Sequence, residues 1–117
     1  IFFFFLKSNN GLDDFGEAYF STIIKDDIKF CNQHKEMTLN LVFVNGEIEF
    51  VIYNQNTKDF FSIKLSHNNY QRLTISPMLW VSFRGISDNN MLLNIASLEH
   101  DPDEAINIDI NEIYYEW

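Results

Sequence analysis

The sequence predicts an α+β protein: a mostly antiparallel β-sheet of about six to eight strands, open or closed into a half-barrel, with one N-terminal helix packed on it. Three observations lead there. Residues 38–54, TLNLVFVNGEIEFVIYN, set two alternating apolar runs on either side of Asn45-Gly46. Phe20, Ile23, Ile24, Ile28 and Cys31 recur at helical spacing behind an acidic start, with Asp26, Asp27 and Lys29 left for solvent. The rest of the chain repeats short alternating runs between turn signals about eight to twelve residues apart, as a meander does.

In chain order, residues 1–7, IFFFFLK, read as a buried strand. The apolar run is too short to span a bilayer, and it has neither a basic flank nor a small-residue cleavage site. Ser8-Asn9-Asn10-Gly11 is a turn by composition. A helix is expected over residues 15–30, with Asp14 as N-cap and Glu17 three residues on, both suiting the positive end of a helix dipole. Its last residues, from Ile28, also suit the opening of a strand. At Asn45-Gly46 a two-residue type I′ turn needs φ > 0 twice, which Asn and Gly supply, and it predicts a hairpin. The register puts Val44 opposite Glu47, Phe43 opposite Ile48, Leu41 opposite Phe50 and Leu39 opposite Ile52, with the apolar pairs on one face.

Phe61, Ile63 and Leu65 line the next run, residues 66–69 (SHNN) turn the chain, and Leu73 and Ile75 line the one after. Ser76-Pro77 ends that strand, because proline donates no hydrogen bond and restricts the residue before it. Leu79, Val81 and Phe83 resume the alternation with Trp80 on the opposite face. Residues 85–90 (GISDNN) form a loop, and residues 91–98 form a strand. Ile106, Ile108 and Ile110 alternate with Asn107, Asp109 and Asn111 before the aromatic end Tyr114-Tyr115-Glu116-Trp117.

With 117 residues, 46% hydrophobic and twelve Phe, the chain is expected to be a single domain over residues 1–117 with one core. One cysteine, Cys31, allows no internal bridge and suits a reducing, cytoplasmic compartment. The net charge of −9 is unevenly placed: residues 1–84 carry −1, and residues 85–117, which hold no Lys or Arg, carry −8. Direct nucleic-acid binding and anionic membranes are disfavoured by that balance, and a basic protein partner is the natural complement.

No motif announces catalysis, and the chain is expected not to be an enzyme. In Glu99-His100-Asp101-Pro102-Asp103-Glu104, a calcium loop started at Asp101 fails because Ala105 and Ile106 stand at its fifth and sixth positions, the sixth needing Gly. His34, His67 and His100 stand alone, as surface histidines do, and Cys31 on an apolar stripe reads as core. There is no nucleophile elbow, P-loop or dinucleotide fingerprint, so no metal and no cofactor are expected. The candidate partner-binding residues are Asp101, Asp103, Glu104, Asp109, Glu112, Tyr115, Glu116 and Trp117, a mixture of charged steering and rigid aromatic anchors.

In size, acidity and its basic-free end, residues 85–117, the chain resembles the small acidic immunity proteins of bacterial contact-dependent growth inhibition and related toxin systems. That resemblance implies a bacterial, cytoplasmic inhibitor whose carboxylates neutralise a basic toxin domain, a nuclease, by occupying its Lys/Arg-rich substrate groove or an adjoining surface. Two other readings stand beside it: a phage-type inhibitor or DNA mimic of a nuclease, and a small-ligand-binding domain in which an apolar pocket lies within the curved sheet.

Overall fold

A computed structural model describes residues 15–99, 101, 103, 105–108 and 117, apart from the side chains of residues 30, 31, 107 and 108. They form β1 (Glu17–Ile24), β2 (Ile28–His34), β3 (Leu39–Asn45), β4 (Glu47–Asn54), β5 (Asp59–Ser66), β6 (Arg72–Ile75), β7 (Trp80–Gly85), β8 (Asn89–Ala96) and β9 (Ala105–Ile108). All pairings between them are antiparallel. One sheet runs β1-β8-β3-β6 and the other β5-β4-β7-β2-β9. Every connection except β4–β5 therefore leads from one sheet to the other, and the two sheets face each other across a shared core.

Among the described residues there is no helix, so the expected α+β class is corrected to all-β. Residues 15–30 instead supply β1, a turn with Asp26 at φ 67, and the start of β2. The helical stripe was a coincidence of spacing: Phe20 and Ile24 are 64% and 60% exposed, whereas Ile23 faces the core. β-branched Thr22, Ile23 and Ile24 suit a pleated strand, and β8 offers β1 an eight-residue ladder from Glu17↔Ala96 to Ile24↔Asn89. Long-range pairing outweighs the local capping signal. The acidic start at Asp13-Asp14 and the strand read over residues 1–7 lie outside the described residues.

The second correction concerns Asn45-Gly46. β3 and β4 do not pair; they belong to different sheets, and the turn between them is a corner. Gly46 has φ +87, as the turn chemistry requires, yet the groups that should close a hairpin are taken elsewhere. The Glu47 N–H donates to Asn90 Oδ1 at 2.8 Å, and the Glu47 carbonyl accepts the Ile86 N–H at 2.9 Å. Leu39, Leu41, Phe43, Ile48 and Phe50 do share one core, but from opposing sheets rather than along a hairpin face. The hairpin that does form is β4–β5, closed over residues 54–59, where Lys58 takes φ 61 and its N–H reaches the Asn54 carbonyl at 2.7 Å.

The core is apolar and closed. Phe43, Ile48, Phe50, Leu65 and Leu92 are fully buried, and Leu41 nearly so. Truncating Phe43 or Phe50 to Ala carries a penalty of about 3–5 kcal/mol in such surroundings. At one end, His67 and Tyr70 from the β5–β6 connection meet Phe43 edge-on at 5.3 and 5.8 Å and seal the corner. β7 is buried on both faces: Val81 and Phe83 point into the core, while Trp80 points outward and donates to Gln55 Oε1 at 2.7 Å. No described helix is long and apolar enough to cross a membrane.

Candidate active site

Away from the corners, the space between the sheets opens into a cavity of about 160 Å³. Its floor is Leu39, Leu41, Val81 and Phe83, the inward residues of β3 and β7. Its polar wall comes from Tyr19, Lys29, Asn32, His34, Asn94 and Asp101. Alternation explains most of these: Tyr19 is paired with Asn94 across β1 and β8, so both face inward with Leu41 beside them. Lys29, Asn32 and His34 need one more feature. A regular strand would send Lys29 and Asn32 to opposite faces, but the β2–β7 register shifts between them, and the irregularity lets both reach the cavity.

The end of β2 that carries His34 is clamped. Met78, at φ 70, donates its N–H to the His34 carbonyl at 2.7 Å, and its carbonyl accepts Gln33 Nε2 at 2.8 Å. Gln33 is buried, so this side-chain bond fixes the strand from the face away from the cavity. On β8, Asn94 donates its amide to Ser21 Oγ at 3.0 Å and to the Tyr19 carbonyl at 3.3 Å. Its Oδ1 accepts no hydrogen bond among the described residues. Asn94 is thus oriented by one end of its amide, leaving an acceptor for a guest.

Two titratable groups are perturbed. Burial pushes the Tyr19 phenol above its ordinary range, with nearby Glu17 adding to the effect, so it stays a hydroxyl donor at neutral pH. Lys29 keeps contact with solvent, yet desolvation by its surroundings draws its pKa below the usual lysine value. Its Nζ stands 5.3 Å from the Phe83 ring centre. The described residues contain no cluster of three His, Cys, Asp or Glu able to hold a metal ion.

Of the residues singled out from sequence, Asp101 lies at the cavity mouth, its Oδ1 accepting the Asp103 N–H at 3.0 Å. Asp103 is exposed, and its carbonyl accepts Lys35 Nζ at 2.9 Å. Trp117 is half-buried, its ring 5.5 Å from the Arg84 guanidinium, which pairs with Glu49 at 2.8 Å. Glu104, Asp109, Glu112, Tyr115 and Glu116 lie outside the described residues, as does His100. Sequence reasoning missed Tyr19, Lys29, Asn32 and Asn94 and left His34 on the surface. A signal existed: Asn90 and Asn94 stand four residues apart in NNMLLNIA, so in a strand they share one face with Leu92 and place two amides on the inward side.

Comparison with known proteins agrees on the fold, a cupin-like sandwich. A dTDP sugar isomerase from Desulfovibrio desulfuricans G20 superposes with TM-score 0.83 and 25% identity over 89% of this chain and 72% of its own. QdtA, a sugar 3,4-ketoisomerase from Thermoanaerobacterium thermosaccharolyticum solved with TDP, gives TM-score 0.73 and 23% identity over 86% of this chain and 72% of its own. NovW, a 4-keto-6-deoxy sugar epimerase from Streptomyces spheroides, gives TM-score 0.75 at 14% identity, covering 81% of this chain and 52% of its own. The latter two likenesses speak for the fold alone. Among curated proteins none matches the sequence.

These neighbours, with a family match over residues 19–113, overturn the expected toxin-neutralising immunity protein, its basic nuclease partner and its non-enzymatic character. The acidity that suggested it is a property of the chain's last third and carried no motif, whereas the fold and family rest on most of the chain. The match is to the family described as FdtA: WxcM-like, C-terminal, and the chain belongs to that family.

Proposed function

We propose that this chain is a nucleotide-sugar isomerase or epimerase domain that moves a proton on a keto sugar held between its two sheets. The observation that carries the reading is the cavity itself: an apolar floor with an imidazole, a phenol, an amide acceptor and a carboxylate in its wall. Family membership and fold neighbours whose names specify dTDP-sugar isomerisation and epimerisation support it. The expectation of a small-ligand-binding domain with an apolar pocket is the earlier reading closest to this one.

The chemistry follows from the groups present. A hydrogen on the carbon next to a ketone is acidic enough for a positioned base, and an imidazole can both take and return a proton near neutral pH. His34 takes that role, held in place by the Met78 clamp on its strand. As charge develops on the carbonyl oxygen, a neutral phenol such as Tyr19 stabilises it by donating a hydrogen bond. Asn94 Oδ1 accepts from a sugar hydroxyl and fixes the ring's orientation, and the floor of Leu39, Leu41 and Val81 lies under the apolar face of a deoxy sugar. Returning the proton to the neighbouring carbon isomerises; returning it to the opposite face epimerises. A cytoplasmic location, read from the single cysteine, belongs to the same proposal.

Proton NMR of the chain with TDP-4-keto-6-deoxyglucose in deuterated buffer tests this. We expect deuterium to enter at the carbon beside the carbonyl and new sugar signals to appear, with His34→Asn slowed by about 10²–10⁴-fold while its melting temperature stays near wild type. Substrate left unlabelled at saturating enzyme overturns the reading.

A further inference from the structure

The two sheets differ on their outer faces. On β4, β5 and β7 the outward positions include Glu49, Lys64 and Arg84, with Glu49 and Arg84 paired. On β1, β8 and β3 the outward positions are mainly apolar: Phe20 and Ile24 are 64% and 60% exposed, and Met91, Leu93, Ile95 and Val42 lie half-buried beside them. The polar side chains Asn40 and Thr74 on this face are bonded to each other, Thr74 Oγ1 donating to Asn40 Oδ1 at 2.7 Å. In a chain with 17 Asp and Glu and a net charge of −9, no outward position of β1, β8, β3 or β6 carries a carboxylate. A continuous apolar sheet face of this kind marks a contact surface.

We propose that this face seats a second copy of the chain, the two sheets packing face to face about a twofold axis. The charge pattern selects that occupant: two copies of net charge −9 meet here without opposing carboxylates, and a basic partner finds no acid to pair with. The size fits as well. Four strands about 4.8 Å apart and eight residues at about 3.4 Å each project about 500 Å², so two faces bury about 1,000 Å² or more, enough for a specific interface. Register then sets the seating. Phe20, Leu93, Val42 and Arg72 form one cross-strand row over the sheet. A twofold axis parallel to the strands lays β1 of one copy over β6 of the other, so Phe20 meets the second copy's Arg72 and Leu93 the second copy's Val42, each contact made twice. A guanidinium over a phenyl ring is a favourable contact, and the row is its own complement when reversed. The same packing steadies β1, an edge strand paired to β8 alone, whose inward side chains include Tyr19. None of the contact residues lines the cavity, so the proposal stands apart from the keto-sugar reading.

Sedimentation velocity of the whole chain, from about 1 to about 500 μM, tests this. We expect the mass to rise from one chain toward two with a dissociation constant in the micromolar range. Leu93→Glu puts a carboxylate at the centre of the contact and should weaken the dimer more than about 100-fold, with the melting temperature of the dilute monomer unchanged because the position faces outward. Phe20→Lys sets an ammonium against Arg72 and should weaken it at least about tenfold, whereas Phe20→Glu offers that guanidinium a carboxylate and should change it less than about threefold. A wild type that stays monomeric at the highest concentration, or a dimer indifferent to Leu93→Glu and Phe20→Lys, overturns the proposal. Equal weakening by Phe20→Lys and Phe20→Glu overturns the twofold seating. If Leu93→Glu does not fold, the two Phe20 variants, at a position already 64% exposed, decide the question.

Discussion

Asn90 and Asn94 stand four residues apart on the same inward face of β8, both buried, and the molecule uses them in opposite ways. Asn90 belongs to the corner end. Its Oδ1 accepts the Glu47 N–H at 2.8 Å, and its Nδ2 donates to the Ile23 and Ser87 carbonyls at 2.9 and 2.8 Å. Three chain segments are tied by one amide, and Gly46 and Gly85 both press against it, each where a side chain would collide with Asn90 or with neighbouring backbone. Asn94 spends its donor on Ser21 and the Tyr19 carbonyl and keeps its acceptor for the cavity. A buried amide with every bond satisfied is a structural part; one with an acceptor facing open space is a binding group.

That contrast can be broken by substitution. The largest effect is expected from Asn90→Ala, which strands a buried N–H and two carbonyls at once: a loss of about 3 kcal/mol or more in thermal or denaturant unfolding. A melting temperature near wild type would show that the corner does not depend on the amide. Gly46→Val comes next, at more than about 1 kcal/mol, because a β-branched residue is forced to positive φ against Asn90 and the Asn89 carbonyl. Asn94→Leu should be milder in unfolding than Asn90→Ala and should weaken keto-sugar binding about tenfold, the worth of one hydrogen bond. If Asn94→Leu instead unfolds the chain as readily as Asn90→Ala while binding persists, the division of labour is wrong.

The smallest effect sharpens the picture at Lys29. Its folded pKa lies below the unfolded value near 10.5, so between the two the unfolded chain holds a proton that the folded chain has released. Stability relative to Lys29→Met should therefore rise with pH through that window. Tyr19 acts the other way, its raised pKa removing stability only above pH 10.0, so melts compared below that pH isolate Lys29. A difference that does not change with pH would argue that the amine is not desolvated.

Much of the fold was legible. The alternating runs ending at Leu65, Ile75 and Phe83 became β5, β6 and β7, the strand expected over residues 91–98 is β8 shifted two residues earlier, and the glycine demanded at position 46 does have positive φ. What failed was partnership. An Asn-Gly pair specifies a turn geometry but not which strands it joins, and here Asn90, distant in sequence, captured the Glu47 N–H that a hairpin would have used. The stripe from Phe20 to Cys31 met the helical period by chance, and only pairing with β8 reveals it as strand. That one misreading hid the site, because Tyr19, Lys29, Asn32 and His34 all depend on β1 and β2 being strands with a register shift. Charge was a poorer guide than pattern: the acidic third of the chain suggested a partner, while the cavity is built mainly from residues outside it.

The most direct test of the account is a two-dimensional NMR titration that follows the side-chain amides of Asn90 and Asn94 as TDP-4-keto-6-deoxyglucose is added. The account predicts a progressive, saturable shift of the Asn94 amide, accompanied by Asn32 and His34, with Asn90 unmoved. An Asn94 amide that stays in place while the ligand binds, or perturbation centred on Asn90 and the corner, would contradict it.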